Sequence, residues 1–212
     1  QIANQYGCIN IVDAVTSLAG SELRVDDWGI DAIYSGSQKC LSAMPGLSPV
    51  SFGERAIEKL TNRKTPVTSW FLDLNLVMGY WGKGAKRAYH HTAPVNTLYG
   101  LHESLVMLTE EGIENSWSRH QQNHILLRDG LNKLGIDYLV DEASRLPQLN
   151  SVIIPQDQDD LRVRSSLLDN YNIDIGAGLG PLEGKIWRIG LMGHTSRKDN
   201  IEILLSALKD TL

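Results

Sequence analysis

SGSQKCL, residues 35–41, follows the apolar run DAIYS, residues 31–35, and precedes the turn made by Pro45 and Gly46. Lys39 lies inside it. A lysine at the end of a buried strand is out of place unless something uses it. Burying an unpaired ammonium is costly, so such a group shifts its pKa or reacts. The plainest use is an imine with an aldehyde, where the neutral amine is the nucleophile. The plain alternative is a surface lysine at a strand end.

Three other places bear on that choice. INIVDAV, residues 9–15, puts Asp13 at the end of an apolar run, where a strand-end Asp capping a turn is the ordinary alternative. YHHTAP occupies residues 89–94. GKIWRIGLMG, residues 184–193, sets Arg188 inside an apolar run, with an edge-strand arginine whose head lies in water as the alternative. CINIVDAV (8–15), AIYSGSQK (32–39) and PVSF (49–52) read as short buried strands, and Cys8 as a small core residue in the first of them. Short apolar strands belong to sheets covered on both faces, whose ligands lie beyond the carboxyl ends. Asp13 and Lys39 both fall at such ends. Leu23 to Val25 reads as a short extended piece within the connection between the first two strands.

Around this core the spacing predicts helices over 53–63, 69–84, 95–112 and about 114–135. In the second of these, Trp70, Phe71, Leu74, Val77, Met78 and Trp81 recur at helical spacing and are expected to face the core. QIANQYG, at the start, reads as the last turns of a helix closed by Gly7. The character changes near Gly112. Beyond it the pattern predicts strands at 136–140, 150–155, 173–178 and 185–191, with helices at 159–171 and 197–212. That is a small α+β unit. Trp187 and Ile189 are expected on the face opposite Arg188.

The chain has 212 residues, 42% hydrophobic and 21% charged, with net charge −5. This is an ordinary globular composition without the basic footprint of a nucleic-acid binder. No apolar run approaches the ~20 residues that span a bilayer. Two cysteines make no disulfide framework and suit a reducing compartment. Adjacent His90 and His91 point in different directions and have no third ligand close in sequence, so a metal is not expected. GAGLGPLEG, residues 176–184, lacks the Lys-Ser/Thr of a phosphate loop and reads as a loop before the arginine strand.

VDAVTSLAG, GIDAIYSGSQKCL, YHHTAPV, LTEEGIENSW and GLGPLEGKIWRIGLMG, in this order, resemble the class V, fold-type I aminotransferases that use pyridoxal 5'-phosphate. Within them, the alanine–glyoxylate / serine–pyruvate branch is the most similar. The resemblance implies an α/β fold: part of the large PLP-transferase domain, a mostly parallel sheet with helices (1–112), followed by the small α+β C-terminal domain (113–212). It implies transamination of a small amino acid, alanine or serine, with glyoxylate or pyruvate as acceptor. Lys39 would carry the cofactor as a Schiff base, and Asp13 would face its pyridine nitrogen. Gln38 would contact the phosphate and Val15 the ring. Tyr89 and Thr92 would reach the cofactor phosphate of a second subunit, which makes a homodimer necessary. Part of 69–84 would pack at that dimer interface. Arg188 would grip the substrate carboxylate with its planar fork.

A cysteine desulfurase would need a nucleophilic cysteine in the later half, and none follows Cys40, which reads as packing. A kynurenine-type or aminophosphonate transaminase and a truncated non-catalytic module remain the rivals. The opening at Gln1 leads us to expect a longer protein, with the phosphate turn and the ring-stacking aromatic upstream. The compartment is expected to be cytoplasmic, or peroxisomal or mitochondrial in a eukaryote.

Overall fold

Gly7, at φ +62°, closes a short helix, α1 (Ile2–Gln5), as its sequence predicts. The protein is described by a computed structural model over residues 2–81 and 88–212, without the side chain of Trp81. The Cys8 amide donates to the Ala3 carbonyl at 2.8 Å to finish that helix. It is therefore unavailable to a strand ladder, and β1 is confined to Ile11–Asp13. The expected strand over 8–15 is thus shorter, and Cys8 is exposed and not a core residue.

β2 (Ala32–Tyr34) pairs in parallel with β1, and β3 (Val50–Phe52) pairs antiparallel with β2, giving the order β1-β2-β3. Asn10 and Asp31 fix the first register. The Asn10 Oδ1 accepts the Asp31 amide at 3.0 Å, while Asp31 Oδ2 accepts the Asn10 backbone and side-chain amides at 2.9 and 3.0 Å. Residues 23–25 form no strand; Val25 instead starts a turn that the Ile30 amide closes at 3.0 Å.

The expected strand over 32–39 ends at Tyr34. The chain breaks at Gly36 into a turn over 37–41, in which the Ser42 amide donates to the Lys39 carbonyl at 2.9 Å. Lys39 therefore sits on a turn beyond the strand and not at its last residue.

Helix α2 (Glu54–Thr61) matches its amphipathic pattern. Helix α3 (Leu74–Trp81) starts later than expected, because the Asp73 carboxylate accepts the Asn75 amide at 3.0 Å and caps it. Trp70 and Phe71 precede the helix and are 58% and 56% exposed, so they do not face the core. Trp70 instead stacks on His90 at 4.0 Å. Residues 82–84 of the expected helix, and the packing of Trp81, lie outside the described residues.

Helix α4 (Val95–Glu111) ends at Gly112, and α5 (Ile113–Lys133) starts directly after it. The predicted strand at 136–140 is absent: Tyr138 makes a single bridge to Val152 before the chain turns away. Strand β4 (Leu149–Ile153) pairs with β6 (Ile186–Gly190), which also pairs with the two-residue β5 (Gly176–Ala177), all antiparallel in the order β4-β6-β5. Between β4 and β5 runs α6 (Asp160–Tyr171), capped by Asp159, and after β6 comes α7 (Lys198–Thr211).

The larger buried cluster fills this second half. Leu127 and Leu131 of α5, Trp187 and Ile189 of β6, and Ile201, Leu204 and Leu208 of α7 all lie within it. Alternation along β6 buries Trp187 and Ile189 and leaves Arg188 half-buried on the other face, as expected. A smaller cluster of Ala19, Cys40 and Leu41, packed by Leu101, Leu108 and Met192, lies under the Lys39 turn. No helix among the described residues is long and apolar enough to cross a membrane.

Candidate active site

The parallel pairing of β1 and β2 places their carboxyl ends on one rim, with Asp13 opposite Tyr34. Just beyond, the Ser35 hydroxyl donates to the Ala14 carbonyl at 2.8 Å and the Ala14 amide donates to the Tyr34 carbonyl at 2.9 Å. These bonds hold the segment after Asp13 against the segment leading to Lys39. Asp13 Oδ1 accepts the Val15 amide at 2.8 Å, so this carboxylate does cap its own turn. The Tyr34 phenol also hydrogen-bonds to this carboxylate, which raises it above its ordinary pKa. Val15 is half-buried beside it.

Lys39 is half-buried on the turn, and Gln38 beside it is exposed. Gly36 makes room for Gln38: a Cβ at 36 would stand 2.9 Å from the Gln38 Oε1. Among the described residues, neither Lys39 nor Arg188 takes part in an ion pair. Cys40 points inward, donates to the Thr16 carbonyl at 3.1 Å, and is pushed up to about 11 by burial, which keeps it a thiol. Packing, and not catalysis, is its part.

Arg188 lies on the central strand of its sheet, so the edge-strand alternative falls. Its Nε donates to the Ala177 carbonyl at 2.7 Å, and its outer nitrogens make no hydrogen bond among the described residues. Gly176 faces it across the ladder; a Cβ there would meet the Arg188 Nη2 at 3.3 Å.

Beyond β6 the chain returns to the lysine turn. Gly193 lies so close that a side chain would overlap the Ser42 hydroxyl, and the His194 amide donates to that hydroxyl at 2.7 Å. The structure thus brings Asp13, Val15 and the Lys39 turn together and ties the arginine strand to that turn through one loop. A cavity of about 570 Å³ lies behind the turn, lined by Cys40, Ser42, Glu111, Arg119 and Gly193 among others.

Tyr89 and Thr92 stand apart from this group. Their hydroxyls share a hydrogen bond of 2.6 Å, and both side chains are exposed. His90 and His91 face each other through Nδ1 at 2.7 Å, and His90 Nε2 lies 3.1 Å from the Trp70 carbonyl. These are packing contacts of the segment before α4.

The donor set suits an anionic, aldehyde-bearing pyridine cofactor. It offers an amine that has no salt-bridge partner among the described residues, a carboxylate on the same rim, and an amide beside a glycine.

One set of residues escaped the sequence reading. On α5, Ser116, Arg119, His120 and Asn123 recur at helical spacing and turn inward, Arg119 only partly; Arg119, His120 and Asn123 bond to the loop 193–196, and Ser116 donates to the Ala19 carbonyl at 2.8 Å. The signal was available. The apolar stripe of Leu127 and Leu131, run backwards by turns of the helix, lands on Asn123, His120 and Ser116.

The aminotransferase class-V family pattern matches residues 1–200. The chain is 42% identical to an alanine–glyoxylate aminotransferase of Callithrix jacchus, over all of this chain and 52% of that protein. It is 36% identical to an (S)-ureidoglycine–glyoxylate transaminase of Bacillus subtilis, over 95% of this chain and 52% of that one. The crystal structure of an alanine–glyoxylate aminotransferase from Nostoc sp. superposes with a TM-score of 0.95 at 45% identity, over 99% of this chain and 55% of that one. The chain spans about half the length of the curated relatives it matches.

Proposed function

We propose a transaminase function for this chain, which belongs to the aminotransferase class-V family. The reaction moves the amino group of a small amino acid, alanine or serine, to glyoxylate or pyruvate. Glyoxylate appears in the names of all three relatives described above, whereas the donor named is alanine in two of them and ureidoglycine in the third. Glyoxylate is accordingly the acceptor and alanine the first donor to test. The observation that carries the reading is the joined rim of β1 and β2, with Asp13 on one side and the Lys39 turn on the other.

Pyridoxal 5'-phosphate, when bound, supplies an aldehyde and a ring that accepts electrons. Lys39 would hold it and, as a free amine, would take the proton from the substrate α-carbon and later return one. Asp13 would keep the pyridine nitrogen protonated. Val15 would pack beside the ring, and Gln38 would donate its amide to the phosphate. Arg188 orients the substrate by a two-point grip on its carboxylate. Tyr89 and Thr92, exposed and paired with each other, would donate to the phosphate held by a second copy. That use requires a homodimer, with residues 1–112 in the cofactor domain and 113–212 in the small domain.

The test uses the complete protein loaded with pyridoxal 5'-phosphate. Alanine and glyoxylate should yield pyruvate and glycine in equal amounts. Absence of amino transfer from alanine to glyoxylate and from serine to both acceptors would refute the reading.

A further inference from the structure

His120 is fully buried on α5, where an apolar residue would continue the stripe of Leu127 and Leu131. Both its ring nitrogens are engaged. Nδ1 lies 2.7 Å from the Ser116 carbonyl, and an oxygen there can only accept, so Nδ1 carries the proton. Nε2 is then a bare acceptor, and the Gly193 amide donates to it at 2.9 Å. Burial holds the imidazole below its ordinary pKa, which keeps that acceptor open.

Gly193 is the residue at which this bond has most leverage. It sits at φ +57° and presses on the Cys40 carbonyl and the Ser42 hydroxyl, where no side chain fits. Its neighbour His194 donates to Ser42. The loop's carbonyls are also held from α5: Arg119 Nη1 donates to Gly193 and Ser196 at 2.8 and 3.0 Å, and Asn123 donates to Ser196 at 2.8 Å. Of these α5 groups, His120 alone takes the amide of the residue that touches the lysine turn. The loop begins three residues after β6, the strand of Arg188, and rests on the turn that starts beside Lys39.

We propose that His120 is a positioning residue for transamination: by accepting the Gly193 amide it fixes the loop that sets the Arg188 strand against the Lys39 turn. This rests on the roles given to Arg188 and Lys39 above. Two carboxylate-bearing substrates meet Arg188 in the two halves of the reaction, so an error in that spacing weakens both. Displacement of about 1 Å at a reacting centre costs up to roughly a hundredfold in rate.

The experiment compares His120→Phe with His120→Gln in the complete, cofactor-loaded protein. Phenylalanine keeps the ring's bulk but has no acceptor, whereas glutamine returns an oxygen at similar reach. His120→Phe should raise the KM for alanine and for glyoxylate together by roughly tenfold, with a smaller change in kcat, and His120→Gln should recover most of the loss. Equal kinetics for His120→Phe and wild type would overturn the proposal, as would an equal loss in both variants.

A second measurement does not depend on activity. Nitrogen-15 spectra of the wild type should show His120 protonated on Nδ1 only, and the Arg188 Nε signal should move in His120→Phe but not in His120→Gln. A proton on Nε2, or an unmoved Arg188 signal, overturns the proposal even if the enzyme is active. Loss of the transaminase reading itself would show as a wild type without amino transfer, whatever the spectra report.

Discussion

Ser35 reaches across from the end of β2 to the Ala14 carbonyl at 2.8 Å, one residue past Asp13. With the Ala14 amide, which donates to the Tyr34 carbonyl at 2.9 Å, it joins the two strand ends on which the candidate site stands. Ser35 is 4% exposed, and the Ala14 carbonyl it meets also accepts the Leu18 amide at 3.1 Å, so loss of the hydroxyl removes one of two donors. Ser35→Ala should cost about 0.5–1.5 kcal/mol of stability and weaken cofactor retention. Thermal unfolding with and without pyridoxal 5'-phosphate measures both. Unchanged retention would separate this bond from the site.

Arg188→Lys should raise the apparent KM for amino and oxo acids by about tenfold or more, since a point charge replaces a fork and one charged hydrogen bond is worth about 1.5–3 kcal/mol. The same change removes the donor to the Ala177 carbonyl, so the fold must be checked by its unfolding midpoint. Steady-state kinetics with alanine and glyoxylate decide the point. An unaltered KM for both acids would remove Arg188 from substrate binding.

Two buried histidines make stability depend on pH. Burial lowers the pKa of His120 and of His124 below the ordinary value, against the opposing pull of the Ser116 carbonyl on the first and of Asn150 on the second. The folded protein therefore binds fewer protons than the unfolded chain in the acid range. Their contribution is complete above the unfolded pKa, about 6.5, and is lost as pH falls through the lower folded values. The unfolding midpoint should drop between about pH 7 and pH 5, with a flatter slope in a His120→Gln, His124→Gln double variant. An identical slope in that variant would show that these groups are not the cause.

The residues themselves disclosed the strand-end acid, the arginine strand and most helices, whereas Lys39 was expected at a strand end and sits on a turn five residues past Tyr34. Each has a local signature: an apolar run with one misplaced polar group, or a 3.6-residue period closed by glycine. What was illegible depended on partners far along the chain. The 136–140 segment looked like a strand, but it has only one bridging position against Val152. Cys8 looked buried, but its amide was already committed to the helix before it. Trp70 and Phe71 kept helical spacing, yet Asp73 starts the helix after them. The polar stripe on α5 continues the apolar face of Leu127 and Leu131, but its partner, loop 193–196, lies some seventy residues away.

The most direct test is covalent. Borohydride reduction of the complete protein in the presence of pyridoxal 5'-phosphate, followed by peptide mass analysis, should find the cofactor's mass on Lys39, and Lys39→Ala should lose both the adduct and turnover. An adduct on a different lysine, or a Lys39→Ala variant that still transfers amino groups, would contradict the account.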